Sequence, residues 1–148
     1  MTPLTITYIA FLGVLLAVSV YDGYTKKIKN WVNYALIIAS ITTSLIFSPE
    51  IWINWVFLDT VALVLLVWGT VGQFVLGSAD FKLTVALLPL LGIINNYFIF
   101  LIWIIFFYVV QNALMLFVLK IVKKSYSVPF SYLITIAFAF SVMNIHLF

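Results

Sequence analysis

Six long apolar runs divide this sequence, and they decide what the chain is able to fold into. At 1.5 Å rise per helical residue, about 20 residues cross roughly 30 Å of hydrocarbon, and the runs approach or reach that length. Charged residues make up only 7% of the 148 residues and hydrophobic residues 66%, whereas a soluble domain carries about 25% charged residues. The sequence therefore predicts a single membrane-embedded domain over residues 1–148, an all-α bundle of six transmembrane helices. The runs extend over about Leu4–Tyr21, Trp31–Phe47, Thr60–Leu76, Phe81–Ile94, Tyr97–Leu119 and Phe130–Leu147.

The basic residues indicate how these helices are oriented. All seven are lysines, and they fall between runs one and two, at the start of run four, and between runs five and six. With six crossings, these places lie on one side, which the positive-inside rule makes cytoplasmic. We therefore expect a multi-pass protein of the cell inner or plasma membrane with both termini outside. The net charge of +3 then reflects lysines that orient the helices and face anionic lipid, and it does not indicate nucleic-acid binding. The lysines are Lys26, Lys27, Lys29, Lys82, Lys120, Lys123 and Lys124.

Several kinds of site are excluded by composition. The chain has no cysteine and a single histidine, His146, so disulfides, thiolate zinc sites and a cysteine nucleophile are ruled out, and a metal cluster is not expected. The glycines lack the G-K-[ST] pattern of a phosphate-binding loop. We therefore expect no metal and no cofactor.

The outer connection over Ser48–Asp59 is rich in tryptophan. Indole rings favour the membrane interface, so this segment is expected to lie on the outer surface. Asp59 then precedes the third run as a helix N-cap, where the helix dipole favours an acid. The fourth run is short, and either its ends lie in a polar recess or it extends past Asn95.

Asp22 and Asp80 are the candidate catalytic residues. Asp22 ends the first run and Asp80 begins the fourth, so the topology places both at the cytoplasmic boundary, where an ionisable side chain calls for a functional explanation. Two carboxyl groups that share a proton perform aspartyl hydrolysis, one as the base toward water and the other as the acid. Taken alone, each acid can also be explained without catalysis: Asp22 as a solvated acid beside lysines, and Asp80 as a helix N-cap. The dipoles of their own helices favour an ionised Asp80 and a protonated Asp22, although neighbouring lysines oppose this assignment.

Three further residues are candidates for supporting or substrate-contacting roles. Gly77 is expected to give a tight bend into the site or, alternatively, to end a helix. Lys82 lies about 200° round a helix from Asp80, so the two should not pair. Its ammonium either reaches toward lipid headgroups or contacts the substrate. Asn30 is expected to cap the second helix.

The segments around the two aspartates resemble those of the type IV prepilin peptidases. Residues 22–30 read D-G-Y-T-K-K-I-K-N and are similar to the family's D-x5-I-P-N, and residues 77–82 read G-S-A-D-F-K and are similar to its G-x-G-D-x-K. Val128-Pro129-Phe130 is similar to the entry of the family's last helix. The resemblance implies that Asp22 and Asp80 are the catalytic aspartates of an enzyme of type IV pilus assembly. The reaction implied is cleavage, at the cytoplasmic face, of the leader from a pilin-like precursor in the same membrane.

The sequence departs from the family pattern in two positions and one region. Lys29 stands where the family has proline, and Ala79 where it has the second glycine, so the turn after Asp22 is freer and a positive φ is harder at position 79. The large cysteine-bearing region of the long members, associated with zinc and N-methylation, is missing. We therefore expect a short form with peptidase activity alone.

A small transporter or channel subunit is the alternative from another functional class. In that case Asp22 and Asp80 would be proton or cation ligands. A third possibility is a structural subunit in which both acids are only caps.

Overall fold

A computed structural model describes residues 2–25, 28–66, 70, 78–122 and 129–143. These residues form α-helices with short connections, and no β-strand occurs among them. The six α-helices follow one another in the order of the six apolar runs, so the all-α prediction is confirmed. The elements are α1 (Pro3–Thr25), α2 (Asn30–Phe47), a 3-10 helix (Pro49–Trp52), α3 (Trp55–Leu63), α4 (Ser78–Ile93), α5 (Tyr97–Val122) and α6 (Ser131–Met143).

Three of these helices are long and apolar enough to cross a membrane. They are α1, α2 and the Tyr97–Ile121 part of α5. Large apolar side chains on all three face outward, including Leu16, Ile38 and Ile102, and such surfaces are suited to lipid. The apolar helices at Trp55–Leu66 and Ser131–Met143 are shorter. Six crossings, and the side on which each terminus lies, remain predictions.

Helix α3 begins earlier than the sequence predicts. Its N-cap is Asn54, whose side-chain Oδ1 accepts hydrogen bonds from the backbone N–H groups of Val56 and Phe57 at 3.0 and 3.4 Å. Asp59 is therefore an exposed residue within the helix, and its prediction as the N-cap is wrong. The amide of Asn54 satisfies two N–H groups that begin the helix, so the helix starts one turn before Asp59.

Helix α4 lies at the centre of the molecule. It packs against α2, α3, α5 and α6, and its leucines on every side are excluded from solvent: Leu83, Leu87, Leu88, Leu90 and Leu91. A helix that is apolar all round is typical of a core position. Because protein rather than lipid surrounds α4, its 16 residues need not match the bilayer thickness.

The C-terminus of α4 is closed by two asparagines. Asn95 has a φ of 56°, a left-handed conformation that asparagine tolerates. Its N–H bonds to the carbonyl of Gly92, and the N–H of Asn96 to that of Leu91, the two hydrogen bonds of a Schellman motif. The helix therefore ends at Ile93, and the alternative that it extends past Asn95 is wrong.

Helix α6 connects the two helices that carry the candidate aspartates. It packs against both α1 and α4. At its far end, the Asn96 side-chain amide donates to the Ser141 carbonyl at 2.8 Å. From α1, the Tyr8 hydroxyl donates to the carbonyl of Leu90 in α4 at 2.7 Å. These buried contacts fix the positions of α1, α4 and α6 relative to one another.

Candidate active site

Asp22 belongs to the buried face of α1. The buried residues of that helix recur every three or four positions, which is the spacing of one helical face: Tyr8, Phe11, Leu15, Ser19 and Asp22. The carboxylate oxygen Oδ2 accepts a hydrogen bond of 2.6 Å from the Ser131 hydroxyl of α6. Asp22 is only 7% exposed, so the reading of a solvated acid beside lysines is wrong.

Asp80 lies in the first turn of α4, as the sequence predicts. It is the third residue of the helix, so it is not the N-cap of the alternative reading. Its side chain is half-buried, and its Oδ1 is a buried atom with no hydrogen-bond partner among the described residues. A buried oxygen without a partner is rare in folded proteins and calls for an explanation, of which a catalytic role is one.

The two carboxyl groups interact electrostatically. Asp80 precedes the apolar part of α4 and lies outside the three candidate spans. Burial, and after it the charge of Asp22, raises the pKa of the Asp80 carboxyl to about 7. The two carboxyl groups are carried by different helices, and the charge of Asp22 contributes to the raised pKa of Asp80, as expected for groups within electrostatic range of each other.

The raised pKa of Asp80 disagrees with the expectation that Asp80 is the ionised member of the pair, because burial favours the protonated form of its carboxyl group. Asp22 accepts a hydrogen bond from the Ser131 hydroxyl. The prediction weighed the dipoles of the helices that carry the two acids against the charges of the neighbouring lysines. It could not include the loss of solvent at Asp80, or the hydroxyl and helix N-terminus that α6 presents to Asp22.

Lys82 and Asn30, both predicted site residues, are in direct contact. The Lys82 ammonium donates to the Asn30 side-chain oxygen at 3.1 Å and lies 5.6 Å from the centre of the Tyr34 ring, a cation–π distance. This contact joins the first turn of α4 to the start of α2. As predicted, Lys82 does not point along the face of Asp80.

Asn30 does not cap α2. The N-cap position is occupied by Lys29, which makes no side-chain capping hydrogen bond. Asn30 is the first helical residue, and its amide oxygen accepts from Lys82 instead. The prediction was wrong because the partner comes from a segment 52 residues away.

Gly77 lies outside the described residues, as do Lys26 and Lys27. The bend expected at Gly77 therefore remains a prediction. Ala79, which stands at a glycine position of the family pattern, is described as the second residue of α4. Its carbonyl oxygen accepts a long hydrogen bond of 3.4 Å from the Asn33 amide.

Sequence reasoning missed Asn33. This residue is completely buried between α2 and α4, and its amide nitrogen points to Ala79, next to Asp80. Its Oδ1, like the Oδ1 of Asp80, is a buried atom without a partner in the described part of the chain. Its position in the sequence could have pointed to it: Asn33 is a polar residue within an apolar run, one helical turn after Asn30.

Close packing next to Asp22 was also missed. A Cβ added at Gly23 would overlap the hydroxyl of Tyr132 in α6. Glycine at this position therefore allows α1 and α6 to approach each other beside the candidate site. No sequence pattern points to this contact, because the neighbour is more than a hundred residues away.

The arrangement provides one carboxyl group that accepts a hydrogen bond, Asp22, and one of raised pKa, Asp80, on two helices that both pack against α6. Two carboxyl groups in different environments suit acid–base chemistry. No group of three or more His, Asp or Glu is placed to hold a metal ion among the residues described. A model of the type IV leader peptidase family matches residues 9–112, a range that includes Asp22 and Asp80. No curated protein and no solved structure shows a significant match to the chain.

Proposed function

Because this chain belongs to the type IV leader peptidase family, we propose that it is a membrane aspartyl endopeptidase whose catalytic residues are Asp22 and Asp80. The proposed substrate is a pilin-like precursor whose apolar helix lies in the same membrane, with cleavage of its leader at the cytoplasmic face. The observation that supports this proposal best is the influence of the Asp22 charge on the buried carboxyl group of Asp80.

The hydrolysis requires one water molecule and both carboxyl groups. The Asp22 carboxylate removes a proton from water as the water oxygen bonds to the scissile carbonyl carbon, and protonated Asp80 donates its proton to the carbonyl oxygen. The resulting gem-diol collapses: Asp22 returns its proton to the amide nitrogen, the C–N bond breaks, and one diol hydroxyl returns its proton to Asp80. Both aspartates regain their starting states, and the products are an acid and an amine.

The environments of the two aspartates support these roles. A hydrogen bond donated by Ser131 stabilises Asp22 as the anion that acts as a base. The raised pKa of Asp80 keeps its carboxyl largely protonated below about pH 7, as an acid catalyst requires. Its unpartnered buried oxygen faces a place where the substrate or water would bind.

Replacing each aspartate by asparagine tests the proposal. Asp22→Asn or Asp80→Asn should lower cleavage of a co-expressed precursor, with a basic leader followed by an apolar helix, by a factor of about 10²–10⁴, because each change removes the acid–base group. The new N-terminus is read by mass spectrometry. Asp59→Asn is the matched control: it makes the same chemical change at an exposed residue of α3 and should leave cleavage unchanged.

Two other results would overturn the proposal. Cleavage that persists in both variants would exclude an aspartyl mechanism. If the wild type in vesicles cleaves no precursor but moves protons or cations, and either variant abolishes that flux, the transporter alternative is correct instead.

A further inference from the structure

Buried hydrogen bonds that meet at Ser131, through its backbone carbonyl and its hydroxyl, join α1 to α6 next to Asp22. The Ser19 hydroxyl lies 2.8 Å from that of Thr135 and 3.1 Å from the Ser131 carbonyl oxygen. The Thr135 hydroxyl lies 2.9 Å from the same carbonyl. All three residues are buried. The Ser131 hydroxyl donates to Oδ2 of Asp22 at 2.6 Å.

We propose that Ser131 is a positioning residue for the Asp22 carboxylate, held in place by Ser19 and Thr135. The proposal rests on the function proposed above and adds a residue to that site. Ser131 lies outside the range that the family model matches. It does not touch the reacting atoms and would act through Asp22.

The hydrogen bonds leave little freedom to Ser131. Each of the Ser19 and Thr135 hydroxyls has one proton, and their mutual hydrogen bond can run in either direction. In both cases the remaining proton reaches the Ser131 carbonyl. The Ser131 backbone is thus linked to α1 either directly by Ser19 or through Thr135, which Ser19 then contacts. Separately, the Ser131 hydroxyl donates its one proton to Asp22. A distance of 2.6 Å is typical of a hydroxyl that donates to a carboxylate.

The other buried serine of α6 shows what a purely structural hydroxyl does. The hydroxyl of Ser141 donates to the Ala137 carbonyl in its own helix at 2.8 Å, a common arrangement for serine within helices. Ser131 instead directs its hydroxyl to an acid on another helix. This contrast favours a role in the site over one in helix packing.

Because Oδ2 accepts the hydrogen bond from Ser131, the orientation of the Asp22 carboxylate is restrained. In the proposed reaction, the other carboxylate oxygen takes the proton from water. The ionisable groups that face this region from the described neighbouring helices are Asp80 of α4 and Tyr132 of α6. A carboxylate free to rotate would spend less time in the productive orientation, and such misplacement lowers the rate rather than substrate affinity.

Three variants test the proposal in full-length protein reconstituted in lipid nanodiscs. Ser131→Ala removes the hydroxyl, Ser131→Thr retains one, and Ser141→Ala is the matched control on the same helix. One readout is kcat and KM for the precursor. The other is the infrared carboxylate stretch of protein labelled with ¹³C-aspartate, in which the Asp22 band is assigned by its absence from Asp22→Asn.

For Ser131→Ala we expect kcat to fall on the order of a hundredfold, with KM within about twofold of the wild-type value and a shifted Asp22 band. Ser131→Thr should recover most of the rate, and Ser141→Ala should match the wild type in both readouts. If the Asp22 carboxylate band does not shift in Ser131→Ala, the inferred hydrogen bond between the two residues is wrong. If the band shifts but kcat is unchanged, the positioning role is wrong. If the wild type cleaves no precursor, the proposed function fails and the positioning role with it, while the band still decides whether Ser131 bonds to Asp22.

Discussion

Asp22 and Asp80 have the same side chain, but their surroundings give them opposite properties. Asp22 accepts a hydrogen bond from a buried hydroxyl, whereas Asp80 is desolvated and has an oxygen without a partner in the described structure. The charge of Asp22 adds to the desolvation of Asp80. The pair is thereby prepared to hold one proton between two carboxyl groups.

This arrangement predicts how cleavage depends on pH. The pKa of Asp80 is raised to about 7, so below that pH its carboxyl is mostly protonated and above it mostly ionised. Since the proposed reaction needs the protonated form, kcat/KM should fall about tenfold per pH unit well above pH 7. The measurement is kcat/KM for the precursor between pH 5 and 9. Asp59→Asn should follow the wild-type profile, and a rate that stays level up to pH 9 would contradict the assigned acid.

At the scale of elements, the site depends on how closely α1 and α6 pack. Gly23 in α1 leaves no room for a Cβ because the Tyr132 hydroxyl of α6 occupies that space. One residue earlier, Asp22 bonds to Ser131 at the start of α6. A small increase in the separation of the two helices would therefore lengthen a hydrogen bond at the candidate base.

Gly23→Ala should test this close approach. The added methyl group would displace the Tyr132 side chain from its packed position, which we expect to destabilise the fold by about 1–3 kcal/mol and to lower the cleavage rate. Thermal unfolding in detergent and kcat are the measurements. Adding Tyr132→Phe removes the overlapping hydroxyl and should restore part of both losses. Gly13→Ala is the matched control, because a Cβ there would meet nothing within 4 Å. This control should have little effect on thermal stability or on kcat. If Gly13→Ala and Gly23→Ala changed thermal unfolding and kcat equally, the packing argument would be contradicted.

The elements also show what a sequence is able to predict. The order of the six helices followed from apolar length alone, and so did the approximate extent of α1, α2, α4 and α5 and the placement of Asp80 in the first turn of α4. The start of α3 did not, because Asn54 takes the capping role expected of Asp59. Asn30 was assigned to a cap but is bound by Lys82, and Ser131 meets Asp22 across 109 residues. Partners so distant in sequence leave no periodic signal, so they become visible only in the fold.

For the whole molecule, three helices have the length and composition of membrane spans, and α4 is enclosed by the others. The lysines predict that the connections after α1, before α4 and after α5 face the cytoplasm. The connection after α2 should then face outside. The fold is compatible with a site at one membrane boundary, which the helix of the proposed precursor would reach without leaving lipid.

This orientation can be measured directly, because the chain has no native cysteine. Ile53→Cys, at a residue that is 77% exposed between the 3-10 helix and α3, should react with a membrane-impermeant maleimide in intact cells. Lys120→Cys, in the last turn of α5, should react only after the cells are opened. The reverse pattern would invert the topology, and equal labelling of both would contradict an odd number of crossings between them.

The distance in sequence between Asp22 and Ser131 has a consequence for biosynthesis. Residue 22 leaves the ribosome long before residue 131, so for much of translation the α1 carboxylate has no hydroxyl from α6 to bind it. A nascent chain that ends before α6 would hold the candidate base in an unfixed orientation. If Ser131 acts as proposed, the nascent chain reaches full catalytic activity only after α6 has been synthesised. Neighbouring membrane proteins would then be protected from cleavage by an incomplete chain.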